Sequence, residues 1–388
     1  MKALLARALY IHWPYCIAKC PYCDFNSHVR KTADMAEWKT ALLADMRHEF
    51  DATGSEERLA SVFFGGGTPS LMPPSLVADL LREAERLWGF DRAIEITLEA
   101  NPSSVEAAKF ADLAAVGVNR VSLGVQSLRD EALRFLGRLH GVEEALTALE
   151  LAQSHFQRVS LDLIYARPGQ SMADWRTELG EALALGTDHM SLYQLTIEPA
   201  TRFATDVRRG MFEPLDDDNA ADLFALTREM TVAAGLPAYE ISNHARPGEE
   251  SRHNLTYWRY QDYIGIGPGA HGRRGDVATT RHRKPENYIA AVAETGHGIA
   301  EARPLDRSEQ ASEALLMGLR LAEGVDLAAL TRRFAVPPTG LIDPAKLALY
   351  RDLGLVRTDE GWIGVTPQGM PLLDALLGEL VQADLVAS

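Results

Sequence analysis

The chain predicts an α/β fold: a parallel sheet covered by helices, followed by a compact module of three helices and a strand pair. Three observations carry this. Six apolar, β-rich runs alternate with helical patterns between Ala8 and Glu198, as they do where helices cover both faces of a parallel sheet. Polar residues gather at the C-terminal ends of those runs, Glu99, Gln126 and Glu198 among them, where parallel α/β barrels hold their active sites. Beyond Ser308 the pattern turns compact and helical. With 388 residues the chain has room for two or three domains, and the expected divisions are 1–236, 237–305 and 306–388.

The elements follow in order. ALYIHW (8–13) is a first strand that runs into a cysteine-rich loop. Met35, Trp38, Leu42 and Met46 recur at helical spacing across Asp34–Phe50. LASVFF (59–64) is a second strand, ending in Gly65-Gly66-Gly67-Thr68-Pro69, and Leu76–Leu87 is helical. AIEITLEA (93–100) alternates as a third strand and delivers Glu99 at its end. Val105–Val116 is helical, and VSLGVQ (121–126) is a strand. Leu128–Leu136 and Val142–Gln153 are helical, VSLDLIY (159–165) is a strand containing Asp162, Asp174–Leu185 a helix, and HMSLYQLTI (189–197) a strand. Alternation alone does not separate an open, doubly wound sheet from a barrel.

Residues 237–300 read as a less regular connecting region, with a candidate strand at AYEIS (238–242) and a Gly-rich stretch at 263–272. The C-terminal module takes helices at Glu313–Leu321, Leu327–Phe334 and Pro344–Leu353. A strand pair follows, Gly354–Arg357 and Trp362–Thr366, turned at Asp359-Glu360-Gly361, and a last helix is expected from near Pro367. This outline resembles a winged helix. Residues 306–388 nevertheless hold 7 Lys+Arg against 12 Asp+Glu, a net of −5, the wrong sign for phosphate contacts. A lid or partner-docking role fits that charge better than DNA binding.

An apolar fraction of 46% and a charged fraction of 24% are those of an ordinary globular protein. The net charge of −15 argues against nucleic acid as a partner, and an anionic ligand would have to meet a local basic patch. No apolar run approaches the ~20 residues of a membrane span. The apolar part of MKALLARALYIHW is too short for a signal peptide. The expected location is cytoplasmic, with reduced cysteines.

Cys16, Cys20 and Cys23 are the 3 cysteines of the chain, spaced C-x3-C-x2-C in one loop. Thiolates are soft ligands for iron–sulfur clusters, zinc or copper(I). A cubane held by three of them keeps one iron open, because an ordinary cluster takes four. A structural zinc would need a fourth ligand, with His12 or His28 at hand, and a disulfide would leave one thiol over. All three readings stand on spacing alone.

This motif, with Tyr22 just before the last cysteine, resembles that of the radical S-adenosylmethionine (SAM) superfamily. The wider phrase YIHWPYC…CPYCDF is similar to its oxygen-independent coproporphyrinogen oxidase branch, and within it to the haem chaperone (HemW) group. The resemblance runs from Tyr10 to Val365–Gly369. It implies a partial (β/α)6 TIM-like barrel, a [4Fe-4S] cluster on Cys16, Cys20 and Cys23, and SAM chelating the open iron. GGGTP, through Gly66, Gly67 and Thr68, matches the element that contacts the amino acid part of SAM, and Glu99 matches a SAM-contacting glutamate. Gln126, Arg138 and Asp162 match positions that hold a second SAM in the oxidase branch, and Tyr10 and Tyr22 match positions packed near the adenine.

Two departures accompany it. The oxidases proper carry a fourth cysteine where Phe25 stands, and Arg167 stands where relatives usually have Leu in Y-G-L-P-G-Q. His253-Asn254-Leu255-Thr256-Tyr257-Trp258 matches the H-N-x-x-Y-W element of the haem chaperone group. His253 is therefore the first choice of axial haem ligand, with His244 and His271 in reserve. The function implied is a haem chaperone that binds haem and passes it to recipient haem proteins, membrane-associated ones included. The alternatives are an oxygen-independent coproporphyrinogen III dehydrogenase and a zinc-stabilised binding module. The sequence leaves the number of SAM molecules and homodimerisation open.

Overall fold

A computed structural model of the protein describes residues 8–30, 32–53 and 58–381. Six strands arise in sequence order: β1 (Ala8–Trp13), β2 (Leu59–Gly66), β3 (Phe90–Ala100), β4 (Arg120–Gln126), β5 (Arg158–Tyr165) and β6 (His189–Gln194). Each pairs in parallel with the next, through crossovers that carry helices such as α1 (Met35–Thr53), α2 (Pro74–Trp88), α3 (Val142–His155) and α4 (Met172–Ala184). The strands are apolar on both faces because helices cover one and the filled interior lies on the other. In β1, Trp13 meets Trp38 of α1 edge-on at 5.4 Å. Tyr10 and His12, one residue out of phase, point the opposite way and bond to each other at 2.9 Å.

Local chemistry fixes the helix starts. Asp34 caps α1 by accepting the N–H of Ala36 at 2.9 Å, and a reciprocal box of Ser171 and Asp174 starts α4. The helix expected across Val105–Val116 is split into Ser104–Ala107 and Phe110–Ala115. Lys109 sits at the break and sends its ammonium to the Ser70 carbonyl at 3.0 Å.

The stretch from 237 carries more regular structure than its composition suggests. Short β7 (Asn243–Ala245) pairs antiparallel with β6. The strand expected at 238–242 does not form, because the Glu240 carboxylate bonds the Ser242 N–H and the Asn243 side chain and turns the backbone. After α5 (Arg252–Trp258), β8 (Tyr263–Ile266) joins β1 in parallel. The meander of β9 (His271–Arg274), β10 (Val277–Arg281) and β11 (Ile299–Pro304) then completes an eleven-stranded sheet, with α6 (Pro285–Thr295) between its last two strands.

Buried charges of α1 hold that extension. Arg281, wholly buried, bonds Glu49 at 2.6 Å and Asp45 at 3.3 Å. Asp45 also accepts the Tyr288 hydroxyl at 2.9 Å and the Gly298 N–H at 3.1 Å. Periodicity carries no trace of such polar contacts, so this layer was not legible in the pattern.

A second apolar core, including Leu315, Leu319, Phe334, Ile363 and Leu377, organises the C-terminal helices. The expected strand pair is Val356–Asp359 with Trp362–Val365, and Val325–Asp326 adds a third strand. The last helix is Leu373–Leu380, preceded by a 3-10 turn at Met370–Leu372, so it begins later than Pro367 suggests.

Candidate functional site

The C-terminal ends of β1 to β6 surround a cavity of about 310 Å³ lined by Cys16, Cys20, Tyr22, Cys23, Gly66, Gly67, Thr68, Glu99, Gln126, Arg138 and Asp162. Residues spread over 147 positions of sequence are therefore neighbours here. Each cysteine sulfur has its own polar neighbour. Thr68 Oγ1 is 3.4 Å from Cys16 Sγ, Arg138 Nη1 is 3.5 Å from Cys20 Sγ, and Ser27 Oγ is 3.9 Å from Cys23 Sγ. The three thiols are free of disulfides. Among the described residues no group of three or more His, Cys, Asp or Glu side chains is arranged to hold a metal ion. His12, a candidate fourth zinc ligand, has both ring nitrogens engaged, with Tyr10 Oη and the Asn26 carbonyl at 2.9 Å each.

The glycine turn is fitted beneath the cysteine loop. Gly67 and Thr68 donate their N–H groups to the carbonyls of Trp13 and Tyr15 at 2.7 and 2.9 Å. Gly66 has φ +113°, and a Cβ there would lie 2.5 Å from the His12 ring, so only glycine fits. Its N–H donates to Glu99 Oε2 at 3.2 Å.

Two carboxyls share the floor. Burial, and then the Asp162 charge, push the Glu99 carboxyl up to about 8. Burial pushes Asp162 up to about 6, against hydrogen bonds from its serine neighbours, among them Ser122 at 3.0 Å and Ser160 at 3.2 Å. Gln126, in the left-handed region at φ 70°, leaves its buried Oε1 without a partner. Acids raised by burial and an orphaned acceptor form a wall that a cationic, hydrogen-bonding ligand would relieve. SAM carries a sulfonium and an ammonium, so the donor set fits SAM beside a cysteine-held cluster.

Sequence reasoning passed over Ser27, Ser122 and Asn101, which receives Arg138 Nη2 on its Oδ1. Ser122 and Gln126 share the inward face of β4 by the two-residue period, a signal that could have found it. Arg167, the departure from the usual Leu, is buried against Glu178 and Ser127 and does not line the cavity.

The expected positions below the cavity differ most. Tyr10 does not line it. Its ring lies deeper in the barrel, 6.2 Å from both Phe63 and His253. His253, the first choice of haem ligand, is 1% exposed, with Nδ1 3.0 Å from Ser61 Oγ and Nε2 2.8 Å from Tyr257 Oη. Burial lowers its pKa to about 3. The N–H groups of Arg252 and His253, at the start of α5, close on Glu95 at 3.1 Å each, and Glu95 is paired with Arg158 at 2.6 Å. The HNxxYW segment plugs the barrel, and no lone pair of His253 is free for iron. His244 is also 1% exposed, whereas His271 is at the surface.

Comparison with known proteins places the chain in a family. The radical SAM superfamily model matches residues 10–180, and the HemN C-terminal domain model matches 305–372. "Heme chaperone HemW" of Haemophilus influenzae is 35% identical, over 97% of this chain and 98% of its own. The Escherichia coli protein of that name is 39% identical, over 83% and 85%. The bovine "Radical S-adenosyl methionine domain-containing protein 1, mitochondrial" is 40% identical, over 82% of this chain and 74% of its own. Among solved structures, E. coli coproporphyrinogen III oxidase (HemN), "a Radical SAM enzyme", superimposes with a TM-score of 0.81 at 22% identity, covering 96% of this chain and 90% of that one, which establishes the α/β fold. The superfamily implies a [4Fe-4S] cluster and SAM. The chain belongs to the radical SAM superfamily and, within it, to the HemW family.

Proposed function

We propose that this protein is a haem chaperone: it binds haem and passes it to recipient haem proteins, and it carries a [4Fe-4S] cluster on Cys16, Cys20 and Cys23 beside a SAM site. The observation that supports this reading above others is the near full-length similarity to proteins named heme chaperone, at 35% identity in the Haemophilus protein. Phe25 supports it too, standing where the oxidases proper carry a fourth cysteine.

Within the cavity the residues have separable tasks. The Gly66–Thr68 turn offers its backbone to the amino acid part of SAM. Glu99 and Asp162 would receive positive charge, and Gln126 Oε1 accepts a hydrogen bond that nothing else makes. Arg138 and Thr68 hold the sulfurs of Cys20 and Cys16 in place. When bound, the cluster supplies one electron to SAM. The chain's own contribution is to hold the sulfonium close and shield the site from water. No helix among the described residues is long and apolar enough to cross a membrane. In this reading haem is delivered to a membrane recipient by docking.

The test is haem transfer. Cluster-loaded protein, charged with one haem, is mixed with an apo-haem protein and followed by the absorbance of the acceptor. Transfer faster than spontaneous haem loss supports the chaperone reading, and equal rates would remove it. The same preparation given SAM, reductant and coproporphyrinogen III, beside an active oxidase control, examines the alternative. SAM-dependent loss of two carboxyl groups from the porphyrinogen would replace the chaperone reading with an enzymatic one.

A further inference from the structure

The plugging of the barrel by His253 leaves haem without its expected ligand. A different histidine is better placed. β8 pairs with β1 through Tyr10↔Gly265, β9 opposes β8 through Tyr263↔Arg273, and the backbone of His271 crosses Gly265 so closely that a Cβ there would meet its carbonyl. His271 opens β9 at the rim, where it is exposed. Its ring makes no hydrogen bond among the described residues. Burial of part of the ring and the nearby Arg283 and Arg281 hold its pKa below the ordinary value, so at neutral pH it offers a lone pair.

The surroundings suit a flat dianion. Asn26 ties the cysteine loop to this rim, donating Nδ2 to the Pro268 carbonyl at 2.8 Å and to the Arg283 carbonyl at 2.9 Å. Phe25, next to it on the loop and lining the cavity, is 60% exposed, and Val29, in the short strand His28–Val29 that pairs with Tyr15–Cys16, is 56% exposed, more apolar surface than a covered site would leave open. Arg283 and Lys284 are exposed and make no ion pair among the described residues. Glu286, the carboxylate one turn on, is already paired with Arg30. In a chain of net charge −15, two unpaired cations beside apolar surface and a free imidazole are a local exception of the kind that an anionic macrocycle requires.

We propose that haem is seated on this rim, with His271 as an axial ligand of the iron, Phe25 and Val29 against the porphyrin face, and Arg283 and Lys284 on the propionates. The inference rests on the haem-carrier reading and deepens it. It puts the haem edge beside the cysteine loop, whose Phe25 also lines the SAM cavity, and leaves the HNxxYW segment a structural part.

Full-length protein with its cluster in place is titrated anaerobically with ferric haem and followed in the Soret region. Wild type is expected to bind one haem with an imidazole-coordinated spectrum. H271G loses that spectrum, binds about tenfold more weakly or worse, and regains the spectrum with free imidazole. R283E/K284E keeps the spectrum but binds at least about tenfold more weakly, since tenfold is the worth of a single charge-assisted contact and two are lost. H282A changes neither. If wild type binds one haem and H271G keeps its spectrum and affinity, the seat is wrong and the carrier reading stands. If R283E/K284E alone is unchanged, the propionate contacts are wrong. If wild type takes up no stoichiometric haem, the carrier reading fails and this inference with it. Far-UV circular dichroism and iron content of each variant separate these outcomes from misfolding.

Discussion

The hydroxyl of Thr68 lies 3.4 Å from Cys16 Sγ, so the glycine turn at the end of one strand reaches the cysteine loop that follows another. Hydrogen bonds to cluster sulfurs raise a cluster's reduction potential, because they favour the more negative, reduced state. T68V keeps shape and removes the donor. It is expected to retain iron and to show a more negative potential than wild type in an EPR-monitored titration. An unchanged potential would mean the hydroxyl serves only the turn.

Glu99 makes stability depend on pH in a direction that can be worked out. Its folded pKa, about 8, lies above the ordinary carboxylate value. Its contribution is fully present below the unfolded pKa and is lost as pH rises through 8. E99Q cannot ionise, so cluster-free E99Q gains on wild type between pH 5 and pH 8, by on the order of 2–3 kcal/mol. Thermal unfolding at the two pH values measures this. The same variant should bind SAM more weakly, most clearly above pH 8, where wild type presents a full negative charge.

His253 is predicted to matter for stability and not for iron. Replacing it by alanine strands Ser61, Tyr257 and a buried cavity, at about 1–3 kcal/mol for each unpaired partner. Melting temperature should fall while the Soret spectrum of bound haem in the surviving folded protein keeps its form. A lost imidazole signature in folded H253A would restore the histidine to the iron.

Arg167 completes a buried ion pair with Glu178, whose carboxylate also accepts the Ser127 hydroxyl and, at 2.8 Å, the Leu128 N–H. R167L, which installs the residue more usual in that motif, leaves a buried charge with one fewer counter-charge. It should cost about 3–5 kcal/mol, and R167L/E178Q should recover much of it. Chemical denaturation of the two variants decides this, and equal midpoints for R167L and wild type would show that water reaches Glu178.

Much of this was legible beforehand because the signals are local. The cysteine spacing, the GGGTP turn and the strand-end positions of Glu99 and Gln126 are properties of single elements. The parallel order of β1 to β6 brings those strand ends together in one cavity. His253 shows where that reasoning stops. A motif gives a residue's chemistry, but whether its lone pairs face a ligand depends on Ser61 and Tyr257, and Ser61 is 192 positions away.

By itself the sequence determined the α/β class, the cysteine loop and its soft-ligand chemistry, and the net acidic charge of the C-terminal module. These follow from composition and short-range periodicity, which fold-independent physics can read. Only the tertiary structure decided that strands between 243 and 304 extend the sheet, that HNxxYW plugs the barrel, and that the ring of His271, exposed and near Arg283, makes no hydrogen bond among the described residues. The reason is common to all three. Burial and hydrogen-bond satisfaction belong to pairs of residues far apart in the chain, such as Arg281 with Asp45 or His253 with Ser61, and no local pattern encodes them.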